Sequence, residues 1–227
     1  MLTACGLCWL CRMPLAMVSW GICSRCVNAL ACQITVCPRC GLPAGDPDYL
    51  CGRCLQKSPP WQRLLAVSDY VMPLSTLIHR FKFSGKAELA PALARLIMLE
   101  FLQARRTFAL PRPDRIVSIP LWQKRHWRRG FNQSDLLCRP LAQWLGCQYD
   151  IDTIARTRAT ATQHHLSARH RKHNLKNAFR LEFPVNGLNI VIVDDVVTTG
   201  STVAEITRLL LRGGAATVHV WCLCRTL

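Results

Sequence analysis

The sequence predicts an α/β fold, with a parallel-sheet domain over residues 57–227 behind a small, metal-stapled region over residues 1–56. Three observations predict it. Ten of the 14 cysteines lie before residue 55, most of them in CxxC pairs. From Leu64 onward, short apolar runs alternate with amphipathic stretches of helical length, the pattern of β–α units. Near the far end, Asn189 to Thr202 reads as strand, acidic pair, polar loop and helix start. With 227 residues, half of them hydrophobic, the chain can bury one medium core beside a small region that cannot.

Four non-overlapping CxxC pairs can be drawn in the amino-terminal region: Cys5/Cys8, Cys23/Cys26, Cys37/Cys40 and Cys51/Cys54. A two-residue gap lets both thiolates of a knuckle face one ion, and two knuckles complete an S₄ site. CPRCG and CGRC place turn residues where a knuckle needs them, which assigns zinc to Cys37, Cys40, Cys51 and Cys54. Cys5, Cys8, Cys23 and Cys26 form a first candidate site, with Cys11 and Cys32 left over as substitute ligands or buried small hydrophobes. One or two structural zinc ions are therefore expected. A catalytic zinc would need an open position and His or carboxylate ligands, which this region does not offer. The region reads as a metal staple, and also as a docking module.

Charge points to an anionic partner. There are 29 Lys+Arg against 13 Asp+Glu, a net charge of +16. Arg105 to Arg180 holds 16 basic and 4 acidic residues, so this third carries +12 of the total. No run is long and apolar enough to span a bilayer, and the first 30 residues do not have the make-up of a signal peptide. Paired CxxC spacing without an export signal favours metal over disulfides and a cytoplasmic compartment.

Gln56 to Gln62, with Pro59-Pro60, reads as the linker. Leu64 to Tyr70 then reads as a strand, Leu74 to Phe83 as a helix, and Ala87 to Gln103 as a longer helix. Ser84-Gly85-Lys86 between them is no nucleotide P-loop, because no glycine stands five positions before Gly85. Phe81 and Phe83 read as core and Lys82 as solvated, with a place near a ligand cleft as the other reading. Arg115 to Leu121 is a short strand running into a loop that contains Arg125, Arg128, Arg129, Gly130, Phe131, Asn132 and Gln133. Arg offers planar forks matched to phosphate, and Asn and Gln donate to oxyanions. Trp122, Trp127 and Phe131 either stack on bases or anchor the loop. Ser134 reads as the cap of a helix over Asp135 to Leu145. Ile154 to Phe179 is basic and weakly patterned. It reads as a lid, in which Arg156, Gln163, Arg169, Arg171 and Asn174 close over an anion, or as a solvated face.

The most specific stretch comes last. Ile190 to Val193 is a buried parallel strand, and Asp194 and Asp195 stand where it should end. Val196 and Val197 lead to Thr198, Thr199, Gly200, Ser201 and Thr202, followed by a helix over Val203 to Leu211 closed by Gly213-Gly214. A short loop entering a helix presents backbone N–H groups and the positive end of the helix dipole. Gly200 permits close approach, and the hydroxyls add donors, so the loop suits one phosphate. The carboxylates repel phosphate. They suit sugar hydroxyls, or Mg²⁺ held through water. A phosphorylated ribose satisfies both halves.

These residues resemble the phosphoribosyl-diphosphate (PRPP) signature of the type I phosphoribosyltransferases. The resemblance implies that the acidic pair binds the ribose hydroxyls, the loop holds the 5-phosphate with Mg²⁺ at hand, and the loop from Pro120 and Leu121 wraps the pyrophosphate. Over essentially its full length the chain resembles the narrower ComF/GntX family. The carriers are CPRCGLP and CGRCL, FKFSGK, IPL with RRGFNQS, Arg156 to Gln163 in the pattern RxRxTxxQ, Asn174, Phe179 and VDDVVTTGST. That resemblance implies a PRPP-binding site on a protein that handles single-stranded DNA taken up from outside the cell. A phosphoribosyltransferase with an unidentified acceptor is the second expectation, and a zinc-stapled scaffold for uptake or recombination partners the third. No stretch selects an acceptor base, and neither catalytic residues nor an oligomeric state can be read.

Overall fold

A computed structural model describes residues 6–30, 35–120, 131–157 and 178–226. Cys5, Leu121, Arg125, Arg129, Gln163 and Arg171 lie outside the described residues, as do Cys32, Trp122, Trp127, Arg128, Gly130, Arg169 and Asn174.

Two cysteine loops open the chain, each followed by a short helix: α1 (Ser24–Leu30) and α2 (Gly52–Gln56). The larger part runs β1 (Arg63–Asp69), α3 (Leu74–Phe83), α4 (Ala90–Phe108), β2 (Arg115–Ser118), α5 (Gln133–Leu145), β3 (Gln148–Tyr149), β4 (Ile154–Arg156), β5 (Phe179–Leu181), β6 (Asn189–Val197), α6 (Ser201–Arg212) and β7 (Thr217–Arg225). Five strands form one parallel sheet in the order β1-β7-β6-β2-β3, while β4 and β5 make a separate antiparallel pair.

The sheet is covered on both faces, as a parallel sheet must be. Strand alternation divides β6 between two cores. Val191 and Val193 join Leu65, Val67, Trp221 and Leu223 under α3, α4 and α5. Ile190 and Ile192 join Leu64, Val117, Val218 and Val220 under α6 and the β4–β5 pair. Trp221 and Phe101 stack with ring centroids 4.5 Å apart, joining sheet to α4. The first cysteine loop contributes Cys8, Leu15 and Ile22 to the first of these cores, so it is built onto α4.

Three sequence expectations change. β6 does not end at Val193 but continues through the acidic pair to Val197. Aspartate is a poor strand former; here β7 supplies the ladder, with Val196 opposite Cys224 and Val197 opposite Arg225. The cap of α5 is Asn132 rather than Ser134, because the Asn132 side chain accepts from the Ser134 N–H at 3.2 Å. Phe81 is fully buried as expected, but Phe83 is 62% exposed, since it stands two residues further round the helix, off the core-facing stripe. No element was legible over Thr217–Arg225, the longest partner of β6.

Candidate phosphate site and metal-binding quartets

The direction of chain progression reverses between β2 and β6. From β2 the chain moves outward to β3; from β6 it moves the other way to β7. Crevices at such points, beyond the carboxyl ends of the strands, bind ligands in open α/β sheets. β2 stops at Ser118, paired with Val193, so Asp194 and Asp195 follow directly where the β2 side of the ladder ends.

Asp195 is buried, and its Oδ2 lies 2.9 Å from Lys82 Nζ at the end of α3. Asp194 Oδ1 accepts from the Asp195 N–H at 2.8 Å and from the Ser134 hydroxyl at 3.5 Å. Burial pushes the Asp194 carboxyl up to about 8; the Asp195 charge adds to the rise, and Lys82 opposes it. The pair thus offers hard oxygen donors suited to hydroxyl groups or to Mg²⁺. Lys82 is the site residue that sequence reasoning placed second. Its signal was the FKF interleaving, whose rings were the distraction. Ser134 was read only as a cap.

Thr198 to Thr202 forms the turn into α6. Gly200 takes φ 71° and ψ 9°, and α6 starts without a side-chain cap. Thr199 Oγ1 lies 2.9 Å from Ser201 Oγ and accepts from the Ser201 N–H at 3.4 Å. A Cβ on Gly200 would meet the Trp61 ring at 2.8 Å. Glycine is thus required both by the left-handed backbone and by the ring beside it.

The other expected residues sit as follows. Pro120 follows β2. The Asn132 amide donates to the Ile119 carbonyl at 3.0 Å, so besides capping α5 it ties the start of that helix to the end of the β2 segment. Gln133 is buried in the first turn of α5. Phe131 packs on Phe81 with centroids 5.9 Å apart, which holds it to the core. Arg156, on β4, lies over the Phe179 ring at 5.6 Å.

Two cysteine quartets are positioned to bind metal ions. In each, four sulfurs lie within 4.8 Å of one another. Cys37, Cys40, Cys51 and Cys54 are the quartet that spacing predicted. Among the described residues the first quartet is Cys8, Cys11, Cys23 and Cys26, with Cys11 beside three of the cysteines expected there. The reason is an internal repeat. Cys8 N–H donates to the Met13 carbonyl at 2.9 Å, as Cys37 N–H does to Leu42 at 2.8 Å, and both Cys23 and Cys51 N–H donate to the sulfur of the first cysteine at 3.4 Å. Arg12 and Gly41 hold the same positive φ, 62° and 68°. CWLCRMP and CPRCGLP are thus the matching knuckles. The proline three places after the second cysteine was the available signal.

A phosphoribosyl transferase domain model matches residues 134–227. The chain is similar to the DNA utilization protein YhgH of Salmonella typhi, 71% identical over all 227 residues of both chains. It is 41% identical to Competence protein F of Haemophilus influenzae over 223 residues, 95% of each chain. An adenine phosphoribosyltransferase structure is 17% identical, covering 60% of this chain and 70% of that one with a TM-score of 0.37. Among the described residues, no helix is long and apolar enough to cross a membrane. Identity and coverage of this extent, with a phosphoribosyltransferase-like parallel sheet behind two cysteine quartets, make the chain a member of the ComF family, to which the competence F and YhgH DNA utilization proteins belong.

Proposed function

We propose that this chain is a cytoplasmic DNA utilisation protein whose phosphoribosyltransferase-like site binds PRPP with Mg²⁺ while its basic surface handles single-stranded DNA. The observation that carries the reading is the arrangement around β6: an acidic pair at the reversal of chain progression, continued into a Gly200-centred loop at the start of α6. Asp194 and Asp195 face the ribose hydroxyls and the cation, and Thr198 to Thr202 cradle the 5-phosphate. Pro120, Leu121, Arg125 and Arg129 border the pyrophosphate, and Arg156, Gln163 and Arg171 belong to the cover. The relatives' names supply the DNA half, and the net charge of +16 suits a phosphate backbone. Both quartets hold structural zinc, the ion that four thiolates favour.

Calorimetry with PRPP and Mg²⁺ on the wild type and on Asp195→Asn tests the ligand half. The wild type should bind and the variant should not; a wild type that does not bind rejects this reading of the site. Filter binding of single-stranded DNA across a salt series tests the other half, and a flat salt response would reject a backbone-tracking surface. Pyrophosphate release in the presence of nucleobases or nucleic-acid ends would move the reading to a transferase.

A further inference from the structure

The second quartet and the phosphate loop are joined by shared neighbours. Every carbonyl between the thiolates of the first knuckle of this quartet, and that of its second cysteine, accepts a hydrogen bond from the larger domain. Pro38 accepts from the Leu64 N–H at 3.1 Å, Arg39 from Trp61 Nε1 at 2.6 Å, and Cys40 from Arg225 Nε at 2.9 Å. Two of these donors also hold the loop. Arg225 is buried at the end of β7, and its Nη1 donates to the carbonyls of Val197 at 3.0 Å, Thr226 at 2.7 Å and Thr198. Trp61, 4% exposed, places its ring against Gly200. The first quartet is fastened elsewhere: Arg95 Nη1 donates to the Ile22 carbonyl at 3.1 Å, and Gly21 sits against Ala92 of α4.

A knuckle this small buries little beyond its own cysteines and Leu42, so ligation of its thiolates fixes its backbone. Loss of metal from the second quartet would free the Arg39 and Cys40 carbonyls. A buried guanidinium that loses an acceptor must seek another or leave a donor unpaired, which is costly. The acceptors left to Arg225 include the carbonyls that shape the loop entrance.

We propose that the second quartet is a metal-dependent brace for the phosphate loop, with Arg225 and Trp61 as the positioning residues, and that metal there and phosphate at Thr198 to Thr202 strengthen each other's binding. The first quartet has no such coupling. The phosphate half rests on the proposed PRPP reading, whereas the brace itself does not. Coupling between two sites is reciprocal, so the effect can be read from either end.

Backbone hydrogen exchange on the full-length, zinc-loaded protein tests the brace without ligand. Replacing Cys51 and Cys54 by serine should speed exchange over residues 198–202 about ten-fold, within the usual range of such coupling. Residues 190–193 should stay protected, and the same change at Cys23 and Cys26 should leave the loop as it was. Arg225→Lys keeps both quartets but loses the fork that reaches Cys40 and the loop together. It should speed loop exchange with zinc content unchanged, and it decides the matter should the double serine variant unfold. Unchanged loop exchange in Arg225→Lys overturns the brace. The second arm follows zinc transfer to a chelating dye with PRPP and Mg²⁺ present. PRPP should slow release of one of two ions in the wild type and neither in Arg225→Lys. Equal release with and without PRPP, in a protein that binds it, overturns the coupling. A wild type that does not bind PRPP removes the ligand half with the proposed function, and the exchange arm still decides the brace.

Discussion

Lys82 Nζ lies 2.9 Å from Asp195 Oδ2, and both side chains are largely buried, at 17% and 11% exposure. The pair joins the end of α3 to the end of β6, and it sets the charge of the site before any ligand arrives. Breaking a buried pair by removing one partner costs about 3–5 kcal/mol, because the other charge is left uncompensated. Lys82→Met should therefore destabilise the protein by that order in urea unfolding. Adding Asp195→Asn should recover most of the loss. Additive losses in the double variant would show that the two side chains are not coupled.

The raised Asp194 carboxyl gives a pH signature. In the folded chain it keeps a proton up to about pH 8 that the unfolded chain loses near pH 4. The folded state then binds more protons than the unfolded state, so this group makes stability fall as pH rises through that window. His219 acts in the opposite sense. Burial, with Arg63 and Arg39 adding to it, lowers its value to about 4, so it makes stability fall as pH drops below about 6.5. Comparison with Asp194→Asn isolates the first effect. Without Mg²⁺, the melting temperature of the variant should gain on the wild type from pH 5 to pH 8. A constant difference would contradict the raised carboxyl.

Metal analysis distinguishes Cys5 from Cys11. The quartet Cys8, Cys11, Cys23 and Cys26 predicts that Cys11→Ser loses one of two zinc ions, whereas Cys5→Ser retains both. The opposite result would return Cys5 to the ligand set.

Gly200→Ala places a side chain at φ 71° and drives its Cβ to 2.8 Å from the Trp61 ring. The backbone alone costs about 1–2 kcal/mol, and the ring must also move. PRPP binding measured by calorimetry should fall at least ten-fold, while Gly45→Ala, with nothing within 4 Å of its Cβ, should bind as the wild type. Equal binding by the two variants would place the phosphate elsewhere.

Much of the site was legible because its logic is local. A strand carrying Asp194-Asp195, a loop with Gly200 and a helix start are consecutive in the chain, and backbone preferences over a few residues decide most of their order. Cysteine spacing likewise constrained the second quartet, since two residues set the reach of a knuckle. The sequence by itself therefore determined the fold class and the second cysteine quartet, Cys37, Cys40, Cys51 and Cys54, positioned to bind a metal ion.

The tertiary structure decided what depends on partners far along the chain. β7 carried β6 past the aspartates to Val197 by satisfying their backbone. Packing of α3 on the sheet brought Lys82 to Asp195, and the fold of the first cysteine loop gathered Cys11 with Cys8, Cys23 and Cys26. Arg225, unremarked in sequence, found acceptors in Cys40, Val197 and Thr198. Each was settled by which groups were buried together and had to be paired there, a property of the packed chain and not of any segment.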